Sequence, residues 1–178
     1  DRSKDRLDRM KENLNRVQIN GTASAFCEMI RHDWLRGFSS DHEALAATYD
    51  YIVLDAPCSA TGTIRRRPDI LNKRDAEDIS ALQQLQWELA TNALGWLRAG
   101  GRMVYATCSL QPEEGEDIVS AIIDGANGQY TIDPITTDQA GIFARSITDN
   151  GWIRILPSDY YDIGGVDGFF IARLLSLN

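Results

Sequence analysis

Apolar residues in the first segment recur at spacings of three and four: Leu7, Met10, Leu14 and Val17, with Lys, Arg, Asp and Glu between them. This period predicts an amphipathic helix that ends near Asn20-Gly21. Thr22 to Phe26 has the composition of a short strand. Glu28 to Ala47 is mixed, with a short helical piece expected near Glu43-Ala47. Tyr51-Ile52-Val53-Leu54 is apolar at every position and stops at Asp55-Ala56-Pro57-Cys58, which predicts a parallel strand buried on both faces. The helical period returns from Asp75 to Leu97 through Ile79, Leu82, Leu85, Leu89, Ala93 and Trp96, with Gly100-Gly101 as its stop. Met103 to Thr107 is a second buried strand that runs straight into Cys108-Ser109. A helix is expected after it, with Pro112 in the first turn, Glu113 and Glu114 at the positive dipole end, and Ile118, Val119, Ile122 and Ile123 inward. Past Gly128, strands are expected at Tyr130-Ile135, Trp152-Leu156 and Phe169-Leu175, the last two pairing across Gly164-Gly165.

This alternation predicts an α/β fold: a Rossmann-like, doubly wound sheet with a β-rich C-terminal end. Domains of this class usually open with a strand and a glycine-rich loop. The present chain opens with a helix, so 1–178 is expected to be the C-terminal portion of one domain whose front is missing.

Composition narrows the picture. A length of 178 residues suits one globular domain, 43% apolar residues can fill its core, and 25% charged residues are ordinary for a soluble protein. No apolar run approaches the roughly 18 to 20 residues of a membrane span, and Asp1 opens no signal peptide. Three cysteines do not make a disulfide framework, which points to a reducing, cytoplasmic location. The net charge of −8 argues against binding nucleic acid through bulk charge. Arg65, Arg66 and Arg67 are the only compact basic cluster, read either as a solvated loop or as a phosphate contact. Trp34, Trp87, Trp96 and Trp152 are of a type that stacks on bases, although Trp87 and Trp96 fall in a predicted helix and read better as core.

Two segments share one grammar, a buried strand followed at once by a cysteine: Leu54-Asp55-Ala56-Pro57-Cys58-Ser59 and Ala106-Thr107-Cys108-Ser109. In open α/β sheets the ligand crevice lies at the carboxyl ends of the strands, and consecutive strands are often neighbours. Both thiols would then face one cleft, with the Asp55 carboxylate beside them. The bland reading, small buried residues, applies best to Cys27. A Cys58–Cys108 disulfide is disfavoured by the reducing context, and no metal-ligand spacing involves His32 or His42. Cys58 to Arg65 has a phosphatase-loop look, but six residues intervene where that cradle needs five.

A thiolate adds to electron-poor double bonds, and addition at C6 of cytosine raises electron density at C5 enough to attack a sulfonium methyl. A carboxyl group at N3 would stabilise the developing charge, and a second thiol would assist removal of the C5 proton and release. The residues match this chemistry in pattern as well. Asp55-Ala56-Pro57-Cys58-Ser59-Ala60-Thr61-Gly62 with Arg65-Arg66-Arg67-Pro68-Asp69 resembles the fourth motif of the Sun/Fmu-type RNA cytosine-C5 methyltransferases. Tyr105-Ala106-Thr107-Cys108-Ser109 with Pro112-Glu113-Glu114 resembles the sixth, Asp167-Gly168-Phe169-Phe170 the closing motif, and Asp1 through Arg6-Leu7 the second.

The resemblance implies a methyltransferase fold and S-adenosylmethionine as methyl donor, with small-subunit (16S) ribosomal RNA as substrate and no metal. It puts the nucleophile on Cys108, release on Cys58, and Asp55 beside both donor and base. It gives Asp1 the donor's ribose, with Glu28 standing in for the family's adenine-facing Asp, and Arg65–Arg67 the RNA. The family's glycine-rich donor loop is absent from the chain, so the 178 residues alone are expected to bind donor weakly and to show little activity. Two other readings stay open: a non-catalytic RNA-binding or ribosome-assembly module with this fold, and a methyltransferase acting on an exocyclic amine. Asp55-Ala56-Pro57-Cys58 does not fit the Asn/Asp-Pro-Pro-aromatic turn that the last requires.

Overall fold

The computed structural model describes residues 1–16, 27–37 and 42–177; the strand expected at 22–26 and the helix stop at 20–21 lie outside these. The described elements are α1 (Lys4–Arg16), α2 (Glu43–Ala46), β1 (Tyr49–Asp55), α3 (Ala76–Leu94), β2 (Leu97–Thr107), α4 (Glu116–Gly125), β3 (Tyr130–Ile132), α5 (Thr137–Ala140), β4 (Ile153–Ile155) and β5 (Phe169–Ser176). They form a five-stranded sheet in the order β1-β2-β5-β3, with β4 also on β5. β1 and β2 are parallel, as a helix crossover requires. β5 returns antiparallel to β2, and β3 and β4 share its other edge, β3 at Leu174–Ser176 and β4 at Phe169–Ile171. The expected β4–β5 pairing is present, and the sheet is mixed, with its β-rich end on β5.

One core lies between sheet and helices. Met103 and Tyr105 of β2 and Phe170, Ala172 and Leu174 of β5 point to one face, where Ala90 and Leu94 of α3 and Ile118, Val119 and Ile122 of α4 cover them. α3 begins where Asp75 and Asp78 form a reciprocal capping box. A second, smaller cluster packs Phe169 and Ile171 against Ala140, Ile153, Ile155 and Tyr160.

Several expectations are corrected. α3 stops at Leu94, not at Gly100-Gly101; the glycine pair lies inside β2, where the register against β1 jumps and a Cβ on Gly101 would sit 2.9 Å from the Arg98 carbonyl. Among the described residues β1 ends the sheet, and only one of its faces is covered: Tyr51 and Val53 are 71% and 74% exposed. α1 buries none of its residues. Trp87 is exposed on α3, whereas Trp96 follows the helix and is buried, with Trp34 edge-on to it at 4.6 Å. Cys27 is exposed and not a core residue.

Candidate active site

The parallel ladder carries both cysteines to the same place. Asp55 pairs with Ala106, and the Ala56 N–H donates to the Ala106 carbonyl at 2.9 Å, so the two chains leave the sheet in step. Three residues past β1 and one past β2, the sulfurs of Cys58 and Cys108 are 3.4 Å apart, both thiols half-buried. At this distance the two thiols are hydrogen-bonded to each other. The Cys58 thiol, donating to the Cys108 sulfur, draws Cys108 down to about 7, against burial and the charges of Asp55 and Glu114, which raise it. Cys58 goes far up, because of the same hydrogen bond, its burial and the Cys108 charge. Cys108 is therefore the sulfur that ionises first. Asp55 stands exposed at the tip of β1, within electrostatic reach of it.

The loop carrying Cys58 is pinned by backbone contacts. Ala60 takes a left-handed conformation (φ 61°), and the chain then turns so that the Gly62 N–H donates to the Cys108 carbonyl at 2.9 Å. On the other side the Gly168 N–H donates to the Gly62 carbonyl at 2.8 Å. A Cβ on Gly62 would stand 2.2 Å from the Gly168 oxygen, so only glycine fits. Next to Gly168, Asp167 takes a bidentate pair from Arg66, which holds the Asp167 carboxyl below the usual range. The Asp167-Gly168 turn thus closes over the Cys58 loop.

Beneath the thiols lies a buried polar cluster that the sequence did not single out. Glu114 is fully buried. Its Oε1 accepts from the Ser59 N–H and from Gln86 Nε2, both at 2.9 Å, and its Oε2 from the hydroxyls of Ser59 and Ser109, both at 2.5 Å. Gln86 also donates to the Pro57 carbonyl, and the Leu110 N–H to Thr61 Oγ1. Arg154 reaches in from β4, pairs with Glu116 and donates to the Ser109 carbonyl at 2.7 Å. The expected helix-dipole role for Glu114 is therefore corrected: residues 112–114 form a 3₁₀ turn ahead of α4, and this turn points the side chain inward. The readable signal was the serine that follows each cysteine.

The remaining predicted residues are dispersed. Asp1 is half-buried, its Oδ1 taking the Ser3 N–H at 2.8 Å, while its backbone joins Ile30 and His32. Glu28 is exposed and pairs with His42 at 3.0 Å. Of the arginines, all exposed, Arg66 is committed to Asp167 and Arg67 lies 3.6 Å from Asp69, while Arg65 runs beside Gly165. Arg66 is thus a structural clamp as well as a member of the basic loop. No cluster of three or more metal-ligating side chains occurs among the described residues, nor any helix long and apolar enough to cross a membrane. A groove of about 620 Å³ adjoins the cysteine loops, with Thr61, Leu110, Gln111, Ile70, Arg74 and Ile79 among its walls.

Two half-buried thiols 3.4 Å apart at the ends of adjacent parallel strands, with a carboxylate at the neighbouring strand tip, mark the candidate site of an α/β protein. The family model described as 16S rRNA methyltransferase RsmB/F matches residues 1–175, and the chain belongs to that family. Among curated proteins it is 37% identical over 170 residues to Ribosomal RNA small subunit methyltransferase B of Shewanella oneidensis, covering 96% of this chain and 35% of that protein. To the protein of the same description from Vibrio cholerae it is 42% identical over 171 residues, covering 95% and 33%. The chain thus spans about a third of the length of these relatives. Among solved structures, NSun6 from Pyrococcus horikoshii, determined with the S-adenosylmethionine analogue SFG, superposes with a TM-score of 0.76 at 28% identity, covering all of this chain and 40% of that one. A methyltransferase homologue from the same organism superposes with a TM-score of 0.67 at 29% identity, covering 98% and 51%. The fold is accordingly the Rossmann-like fold of these methyltransferases.

Proposed function

We propose that this chain is the C-terminal, cysteine-bearing portion of an S-adenosylmethionine-dependent methyltransferase that modifies C5 of a cytosine in small-subunit (16S) ribosomal RNA. The 3.4 Å approach of Cys58 and Cys108 carries the reading, because one base then meets both sulfurs. Family membership supports the substrate class, and the SFG-bound neighbour supports the donor.

Cys108, the readier thiolate, adds to C6: the S–C6 bond forms and the ring electrons move toward C5 and N3. Asp55, by protonating N3 or hydrogen-bonding to it, stabilises that charge. S-adenosylmethionine, when bound, would supply an electrophilic sulfonium methyl for the enriched C5 carbon, its sulfur leaving as the neutral thioether. Water accepts the C5 proton, the C5–H electron pair re-forms the C5–C6 double bond, and the S–C6 bond breaks to return the Cys108 thiolate; Cys58, whose raised pKa keeps its proton, assists this release by hydrogen-bonding the departing sulfur. The residues present fit part of the donor. Asp55 is exposed at the strand tip, and the Asp1 carboxylate has accepting capacity left for a ribose hydroxyl. Glu28, the stand-in for the adenine contact, is paired with His42 through one carboxylate oxygen. Arg65 and Arg67 are the arginines of the loop best able to take RNA phosphates, since Arg66 holds Asp167.

In the complete gene product, Cys108→Ala is expected to abolish 5-methylcytosine formation on 16S RNA. Full turnover by that variant would refute the assignment.

A further inference from the structure

Each cysteine is followed by a serine, and a single carboxylate holds both serines. Glu114 takes the hydroxyls of Ser59 and Ser109 on one oxygen, and the Ser59 N–H on the other. The serines also touch each other, Oγ to Oγ at 3.2 Å. A third element enters through Gln86 of α3, which donates to the same carboxylate and to the Pro57 carbonyl, one residue before Cys58. Tyr105, one turn of pleat before Cys108, donates its hydroxyl to the Glu114 carbonyl at 2.8 Å. A fully buried carboxylate is costly unless its lone pairs are filled, and here four donors fill them. All four come from the two cysteine loops or from the helix behind them. A network of this kind has one arrangement in which every member is satisfied, so it sets geometry sharply.

We propose that Glu114 is the positioning residue of the cysteine pair, the group that keeps the two sulfurs in mutual reach by tying down the residue after each. The inference rests on the reading of Cys58 and Cys108 as the reacting sulfurs, yet it makes a claim about their proximity that needs no methyl transfer to test. Glu114 touches neither the base nor the donor in this account and acts only through the loops.

The test is the effective concentration of the two thiols, read in glutathione redox buffers with the 178-residue chain carrying Cys27→Ser. Glutathione disulfide is the oxidant: one cysteine thiolate attacks it, releasing glutathione thiolate, and the second cysteine displaces the other glutathione to close a Cys58–Cys108 disulfide. The ratio of closed to open protein, counted by mass spectrometry, gives the effective concentration. Glu114→Ala is expected to lower it by about tenfold or more, because the loops lose their common anchor, while Glu114→Gln, equal in volume and still an acceptor, stays within about threefold. Ile122→Val, a core change away from the network, should leave it unaltered. If Glu114→Ala does not fold, the double variant Ser59→Ala, Ser109→Ala removes the hydroxyl donors at little change in volume, and the same fall is expected. An unchanged effective concentration in folded Glu114→Ala or in the serine variant overturns the proposal, as does an equal fall with Ile122→Val. Failure of methyl transfer in the complete gene product would instead strike the cytosine reading and leave this result standing.

Discussion

Gly62 and Gly168 meet backbone to backbone, the Gly168 N–H donating to the Gly62 carbonyl at 2.8 Å while the Gly62 N–H donates to Cys108. Three segments far apart in sequence therefore cross at one point with no room for a side chain. Gly62→Ala forces a methyl group to within 2.2 Å of the Gly168 oxygen. Overpacking against backbone is expected to cost about 1–3 kcal/mol, near the upper end because nothing flexible can yield. Urea denaturation at unchanged m-value checks this.

The thiol pair predicts a pH dependence. With Cys27→Ser as background, alkylation of Cys108 by iodoacetamide should rise with pH through a midpoint of about 7, as its thiolate forms. Cys58→Ala removes the hydrogen bond that does most to lower Cys108, while burial and Asp55 go on raising it. The midpoint should move up, toward or above that of an ordinary thiol. Peptide mass spectrometry across pH 5–10 reads both curves.

Arg66 and Asp167 make a second pH prediction, on stability. The pair holds Asp167 below its unfolded pKa, so it contributes stability above that value, and the contribution fades as the pH falls through the lowered, folded pKa. Arg66→Ala should therefore lose stability at neutral pH, with the gap from the parent protein closing in strong acid. Thermal melts from pH 7 into strong acid, to about pH 2, measure the gap.

Phe170 is fully buried, edge-on to Trp152 at 5.6 Å and to Tyr105 at 6.4 Å, beneath the Arg154 guanidinium. Phe170→Ala leaves a cavity under the Cys108 loop and should cost about 3–5 kcal/mol. Urea denaturation of the variant beside the parent protein measures it.

Much of this was legible because the local signals were strong. Short apolar runs ending abruptly at Asp55 and Thr107 marked the two strands, and one helix between them made a parallel pair whose ends coincide. Legibility failed where a neighbour decides the outcome. The apolar run of β1 read as buried on both faces, yet periodicity cannot say what covers a face, and Tyr51 and Val53 are open. Gly100-Gly101 looked like a helix stop and turned out to be an irregularity within a strand, since either use exploits the same freedom of glycine. Glu114 looked like an acid at the positive end of a helix; the inward side chain is held by Ser59 and Gln86, 55 and 28 residues away, which a local window of sequence does not contain.

The most direct test of the two-cysteine account is covalent capture. The complete gene product, as Cys58→Ala, is incubated with 16S RNA and S-adenosylmethionine and examined on a denaturing gel. The account predicts a protein–RNA adduct that survives denaturation, accumulates because release is blocked, and disappears when Cys108→Ala is added. An adduct that persists without Cys108, or efficient multiple turnover by Cys58→Ala with no adduct, would contradict it.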